Sequence, residues 1–349
     1  MTNAARQAAP KRDSSGRPVR AVALMSGGLD SLLAAAVTVR QGVDVIGVHY
    51  AIGFAADPFA AERIGLGAGF EIEVRHRDVS AAYIPAVLLN PRYGYGQGMN
   101  PCLDCHLFML RLTRDLMQAE EAHFVITGEV LGQRPMSQHR PALNLLARES
   151  GLGELLVRPL SAPFLELTRP ERKGWLDRSR LPRIRGRSRR RQMELAEEFG
   201  ITAYAQPAGG CLLPDPGYSR RLADLLEHTS EPAVLTPTDM KRLRYGRYLR
   251  LQSGIAVQIG RNEADNTALA ELAAGYWQIE TVSHGGPLTL VESGAAEADL
   301  EFAAALTARY SQGRDAESVT VRITSPEGQS RQTGVTPSPA GTGEAWMIP

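Results

Sequence analysis

Short apolar runs alternate with longer stretches of helical period through the first two thirds of the chain. "RAVALMS" has the density of a buried strand, and "DSLLAAAVTVRQG" repeats as a helix that closes on Gly42. "VDVIGVHY" is a second strand rich in Val and Ile, "PFAAERIGLGAGF" reads as a helix with a glycine-marked end, and "EIEVRHRDV" as a third strand. "CHLFMLRLTRDLMQAEEA" follows as a long helix and "HFVITGE" as another strand. Alternation of this kind predicts an α/β fold, a doubly wound parallel sheet with helices on both faces.

Beyond Glu231 the pattern changes. "YLRLQSGIAVQIG" reads as two short strands around a Ser-Gly turn, and "NEADNTALAELAAG" as a helix capped by Asn262. "YWQIETV" and "PLTLVES" form a second hairpin across His284, Gly285 and Gly286; a helix, "AAEADLEFAAALTARY", and a strand, "SVTVRIT", complete a smaller α+β unit. The polar, proline-bearing "EHTSEPAVLTPTD" marks the boundary. The expected organisation is a disordered tail over 1–19, an α/β domain over 20–230, an α+β domain over 235–324 and a flexible tail over 325–349, with no internal repeat.

A length of 349 residues suits two domains, and 43% apolar with 22% charged residues is ordinary for a soluble globular protein. The N-terminal "MTNAARQAAPKRDSSGRPVR" lacks the apolar centre of a signal peptide, and no apolar run approaches the roughly 20 residues that span a bilayer. A cytoplasmic protein is expected. The net charge of +1 does not hint at nucleic acid, but the distribution does: eight arginines and no acid lie between Arg178 and Arg191. Such a run is either solvated surface or a partner for a polyanion such as a tRNA backbone, with Arg183, Arg185, Arg187, Arg189, Arg190 and Arg191 as its contacts. Arg220 and Arg221 are candidates for the same face. "KRLRYGRYLRL" interleaves further cations with Tyr245 and Tyr248, which suits bases stacked on rings or an amphipathic sheet. With "IGRNEADN" further on, "LRYGRYLRL" resembles the NFACT-type RNA-binding domain, and that is the expected identity of the 235–324 unit.

Chemistry concentrates in two places. Between the first strand and first helix stands "SGGLDS", Ser26 to Ser31. Such a turn gathers backbone N–H groups at a helix N-terminus and makes an anion site, with Gly27 and Gly28 letting the chain approach phosphate and Ser26 and Ser31 adding hydroxyls. Asp30 repels phosphate unless Mg²⁺ lies between them. The loop therefore asks for a nucleotide and a divalent cation. The second place is the cysteines: Cys102 and Cys105 as C-x-x-C, with Cys211 far downstream. In a chain without an export signal that spacing indicates a metal site or redox chemistry in place of a disulfide scaffold.

The six residues "SGGLDS", in their strand–loop–helix setting, resemble the PP-loop of the N-type ATP pyrophosphatases. "GMNPCLDCHLFML" resembles the cysteine-bearing loop of tRNA 2-thiouridylases, and "PAGGCLLPDPGYSRRL" the segment with the partner cysteine. "VITGEVLGQRPMSQ" followed by "RPLSAP" is similar to tRNA 4-thiouridine synthases. Together the four segments, from Ala21 to about His228, resemble the PP-loop tRNA thiouridine synthase family. The resemblance implies that ATP adenylates a uracil oxygen and that sulfur then displaces AMP. It implies tRNA as a partner, sulfide or a sulfur carrier fed by a cysteine desulfurase as donor, and leaves a homodimer open. No THUMP-like domain is expected before the PP-loop, a departure from 4-thiouridine synthases.

Three readings of the cysteines stand side by side. Three thiols suit a [4Fe–4S] cluster with one open iron, as in the cluster-dependent members, and the two-cysteine members have an aspartate where Cys102 stands. Alternatively one cysteine carries a persulfide that another releases, or a zinc uses His106 or His139 as fourth ligand. Asn100-Pro101 points to a loop for Cys102 and Cys105. Around them, Gly128 and Glu129 fall at a strand end where ligands collect; Glu129 also suits a helix N-terminus. Gln133, Ser137 and Gln138 suit AMP, RNA or a helix cap, and Tyr50 the adenine or rim packing. Two other function classes fit the loop: a PP-loop enzyme acting on a small molecule by amidation or sulfur insertion, and an RNA-binding protein with a degenerate nucleotide site.

Overall fold

The computed structural model describes residues 8–55, 60–204 and 211–349, in two compact units that divide between Leu212 and Leu213. In chain order the first unit contains β1 (Arg20–Leu24), α1 (Leu29–Val39), β2 (Asp44–Ala51), β3 (Arg63–Gly65), β4 (Glu71–Asp78), α2 (Ser80–Tyr83) and α3 (Cys102–Ala119). It continues with β5 (Phe124–Thr127), α4 (Arg140–Glu149), β6 (Leu156–Val157), α5 (Arg169–Arg172) and α6 (Arg190–Phe199). The strands form one sheet in the order β3-β4-β2-β1-β5-β6, parallel throughout except for the edge pair β3–β4.

Both faces of this sheet are covered, which is why its strands read as continuous apolar runs. Ala21 and Ala23 of β1 pack with α1 and α6, whereas Val22 between them packs with Leu107 and Leu110 of α3. Every residue of α1 except Asp30 is buried, as expected for a helix that is apolar all round. Each buried leucine there, such as Leu32 or Leu33, contributes about 1.5–3 kcal/mol.

Two expectations need correction in this unit. The stretch "PFAAERIGLGAGF" is not a helix in its described part: β3 turns back onto β4 through Gly67 and Gly69, whose φ angles of 74° and 80° cannot continue a helix. Residues 58 and 59 of that stretch lie outside the described residues. The tail expected over 1–19 is ordered from residue 8. Asp13 accepts the amides of Ser15 and Arg17, Lys11 donates its amide to Gly42, and the Lys11 ammonium reaches the Gly174 carbonyl. Short polar side chains closing their own turn, not apolar content, hold this segment.

The second unit begins with α7 (Pro216–His228), so it starts before the polar stretch expected as the boundary. It runs through α8 (Pro237–Arg242), β7 (Arg247–Arg250), β8 (Ala256–Ile259), α9 (Glu263–Glu271), β9 (Trp277–Thr281), β10 (Thr289–Val291) and α10 (Glu297–Arg309) to β11 (Val319–Thr324), β12 (Ser330–Val335) and β13 (Met347–Ile348). The sheet, β12-β11-β9-β10-β8-β7-β13, is antiparallel. Asn262 caps α9 by accepting the Asp265 amide, as its sequence position indicates. The flexible tail expected over 325–349 instead supplies both sheet edges, β12 beside β11 and β13 beside β7. Its Gly, Ser and Pro content resembles a linker, but Val335 and Trp346 pack on the core. Among the described residues no helix is long and apolar enough to cross a membrane.

Candidate active site

The apolar run of β1 ends at Leu24, and the chain crosses to α1 through Ser26-Gly27-Gly28. Gly27 has φ 74°, the left-handed region, and no side chain caps α1 at Gly28. Ser26 and Ser31 tie the loop internally: the Ser31 hydroxyl donates to the Gly28 carbonyl at 2.8 Å, and the Gly28 amide donates to the Ser26 hydroxyl at 3.4 Å. The first turn of α1 is thereby left open to an anion. Gly128, immediately after β5, lies against this turn so closely that a Cβ there would stand 2.5 Å from the Ser31 amide nitrogen.

Asp30 is the exception in the buried helix. Its Oδ2 accepts from Gln133 Nε2 at 2.7 Å, while its Oδ1 is buried without a partner. That open oxygen fits a divalent cation arriving with a nucleotide.

The loop opens into a cavity of about 320 Å³ within the first unit. Ser26, Gly28, Asp30 and Ser31 line one part of it; Cys102, Cys105 and Cys211 also line it, with Tyr50, Gly128, Gln133 and Gln138. Cysteines more than a hundred positions apart are therefore brought to one wall system together with the PP-loop. Cys102 and Cys105 are not in a loop, as Asn100-Pro101 suggests, but on the first turn of α3, where Pro101 is the cap. Asp104 fastens that turn to the preceding segment by accepting the amides of Arg92 and Tyr93. Cys211 is held through a bridge to Ala55, and the Leu212 amide donates to the Phe54 carbonyl. Residues 205–210, which precede Cys211 in the expected partner-cysteine segment, lie outside the described residues.

Burial pushes the Cys105 thiol up to about 12, with the neighbouring Cys211 and Cys102 adding to the rise against a lowering contact from Tyr83. Burial also raises Cys102, opposed by the Arg134 guanidinium and Asn100. Both are therefore protonated thiols near neutral pH, inert until something removes the proton. Among the described residues no three His, Cys, Asp or Glu side chains are arranged to hold a metal ion, the three cysteines included. Among the described residues the expected [4Fe–4S] cluster thus finds no preformed cradle.

Of the zinc alternatives, His139 serves elsewhere, capping α4 by accepting the Ala142 amide. That cap also displaces Ser137 from the capping role its sequence position suggests. His106 does line the cavity, and its Nδ1 lies 3.0 Å from Glu129 Oε1. Glu129 is not at a helix N-terminus. It is buried, accepts from Thr127 and, at 2.7 Å, from Arg158 Nε. Burial works against its charge, but Arg158 and His106 outweigh that and hold the carboxyl at about 2. The sequence gives no spacing signal for this trio, because its members come from α3, the end of β5 and the segment after β6. Tyr50 is buried against the core under α3 and lines the cavity at the same time.

The arginine run is less bare than its sequence. Arg178 pairs with Glu171, Arg190 with Glu194, and Arg191 with Glu194 and Glu198, all acids outside the run. Arg183 and Arg185 lie over the Phe164 ring, and Arg189 lines the cavity. Arg220 and Arg221 fall in the second unit and donate to the carbonyls of Pro349 and Leu243. In that unit Arg250 is buried against Asp224 and Glu292, Arg242 against Asp239 and the Tyr276 ring, and Tyr248 is buried too. These three side chains are buried and are not open to stack on bases. "KRLRYGRYLRL" runs from the end of α8 through a turn into β7, so its expected reading as an amphipathic sheet strand does not hold either.

Comparison with known proteins supplies three findings. Residues 246–347 match the family described as the NFACT protein RNA binding domain. The tRNA-specific 2-thiouridylase MnmA of Ruegeria sp. (strain TM1040) is 26% identical over 257 residues, 68% of this chain and 61% of that protein. The protein of the same name from Xanthobacter autotrophicus (strain ATCC BAA-1158 / Py2) is 27% identical over 269 residues, 70% and 63% of the two chains. The chain spans about three fifths of the length of these curated relatives. A solved 4-thiouridine synthetase–RNA complex with bound ATP covers 53% of this chain and 53% of that one, at 16% identity and a TM-score of 0.31. With its motifs in order along the sequence and these relatives beside it, the chain is similar to the PP-loop tRNA thiouridine synthases.

Proposed function

We propose that the protein is an ATP-dependent tRNA-uridine sulfurtransferase. The observation that carries this reading is the single cavity lined by both the PP-loop and all three cysteines. The open first turn of α1 and the Ser26 and Ser31 hydroxyls bind the phosphates. Mg²⁺ held by Asp30 through its free Oδ1 would supply charge neutralisation between carboxylate and phosphate. A uracil oxygen attacks the α-phosphorus, pyrophosphate leaves, and the uracil carbon now carries AMP as a good leaving group. Sulfide adds at that carbon at the cysteine wall, and AMP departs with the former uracil oxygen. With a cysteine persulfide as donor, its outer sulfur adds in the same way. A second cysteine thiol then attacks the inner sulfur, breaking the S–S bond to leave sulfur on the uracil and a cysteine disulfide behind.

The half-buried, protonated thiols favour a site that excludes water while sulfur is transferred. The RNA-binding family of the second unit supports a tRNA substrate, with the exposed arginines of the run as backbone contacts. Formation of AMP and pyrophosphate tests the reading: it should require tRNA and vanish in Asp30→Ala. AMP formation that ignores tRNA but responds to a metabolite would favour a small-molecule PP-loop enzyme instead.

A further inference from the structure

Arg189 stands in the middle of the arginine run, yet its surroundings differ from those of its neighbours. It is the cap residue of α6, its side chain lines the PP-loop cavity, and its Nε is buried with no partner among the described residues. Leaving a buried donor unpaired is costly, so such an atom calls for an acceptor that binds there. Arg190 and Arg191, next in sequence, are already paired with glutamates on their own helix.

The helix that carries Arg189 is tied to the PP-loop. Gln192, one turn on and on the same side of α6, is fully buried and donates from Nε2 to Gln133 Oε1 at 3.0 Å. Gln133 donates in turn to Asp30 Oδ2 at 2.7 Å. Two amides thus link α6 to the carboxylate of the nucleotide loop, and Gln192 Oε1 and Asp30 Oδ1 are each left with an open oxygen.

Charge gives the ligand its identity. Among the residues lining the cavity the carboxylates are Asp30 and Glu129, and Glu129 is answered by Arg158. A polyphosphate entering beside Asp30 needs cations, and the lining offers two guanidiniums, Arg134 and Arg189. Arg134 acts on Cys102, at the sulfur end. Arg189 shares its helix with the relay to Asp30.

We infer that Arg189 is a nucleotide-phosphate ligand and not an RNA contact, held in place by the Asp30–Gln133–Gln192 relay. The assignment rests on the ATP site proposed above and adds a cation to it. A guanidinium on a phosphate makes charge-assisted bonds that an alanine cannot replace and a lysine replaces only in part.

The test is ATP affinity of the full chain by calorimetry without tRNA, for wild type, Arg189→Ala, Arg189→Lys and Lys173→Ala, with tRNA affinity measured separately without ATP. Lys173 is an exposed cation away from the cavity and controls for net charge. Arg189→Ala should weaken ATP about 10- to 100-fold, Arg189→Lys less, and Lys173→Ala less than about twofold, with tRNA affinity of Arg189→Ala unchanged. An unshifted melting temperature confirms that each variant folds. Arg189→Ala with wild-type ATP affinity, or with a loss confined to tRNA, overturns the inference. If the ATP pattern holds but the protein never thiolates tRNA, the sulfurtransferase reading falls and the role of Arg189 stands. A wild-type chain that does not bind ATP overturns both.

Discussion

Gly128→Ala probes how the nucleotide loop is positioned. The added methyl carbon would meet only backbone: Ser31 N at 2.5 Å, Asp30 C at 2.6 Å and Asp30 O at 2.8 Å. Backbone cannot swing aside as a side chain can, so the PP-loop and the start of α1 must retreat from β5 by roughly 1 Å to restore ordinary contact. Overpacking of this kind costs about 1–3 kcal/mol. In a domain of this size each kcal/mol lowers the melting temperature by about 2–4 °C. A shift of about 1 Å at reacting groups costs on the order of 10²-fold in rate. Scanning calorimetry and tRNA-dependent AMP formation read the two effects, with Gly65→Ala as control because nothing lies within 4 Å of a Cβ there. If Gly128→Ala melts with wild type and forms AMP at an undiminished rate, Gly128 does not set the loop's position and the reasoning fails.

Other perturbations reach different parts of the account. Arg158→Met leaves Glu129 charged and buried without its main partner and should destabilise the protein by about 3–5 kcal/mol in urea unfolding; a loss below 1 kcal/mol would contradict the burial argument. The folded Glu129 carboxyl sits at about 2 against an ordinary 4.5, so the stability it contributes is complete above about pH 4.5 and is lost as pH falls towards 2. Glu129→Gln should remove that part of the acid limb, and an unchanged pH–stability slope would refute it. With its thiol at about 12, Cys105 should alkylate at about 10⁻³ of the rate of a free cysteine near pH 8; rapid labelling seen by mass spectrometry would overturn the assignment of a protonated thiol. Truncation after Thr324 removes both edge strands, β12 and β13, and should lower the melting temperature of the second unit; an unaffected transition would restore the tail reading.

Much of this arrangement was legible in the sequence because the signals are local. The PP-loop is six consecutive residues between a strand and a helix, and Asn262 announces its own helix. The cysteine spacing was visible too, but not its setting: Pro101 serves as a helix cap here, so C-x-x-C lies on one turn of α3. What failed was compositional inference. Residues 325–349 carry the Ser, Gly and Pro of a linker, yet edge strands need little apolar content when one neighbouring strand supplies their hydrogen bonds. The arginine run looked unpaired because its acids, Glu171, Glu194 and Glu198, stand just outside it. The His106–Glu129–Arg158 trio and the Gln133–Gln192 relay join residues from separate elements, and only the folded sheet brings them into contact.

The central claim is that adenylation and sulfur delivery occur in one cavity on a tRNA substrate. Nucleoside mass spectrometry of tRNA incubated with the full chain, ATP, Mg²⁺ and sulfide tests it most directly. The account predicts one thiouridine per AMP released, lost in Asp30→Ala and in serine variants of Cys102, Cys105 and Cys211, the last three still binding ATP. Unmodified tRNA under conditions where ATP is cleaved to AMP would contradict it.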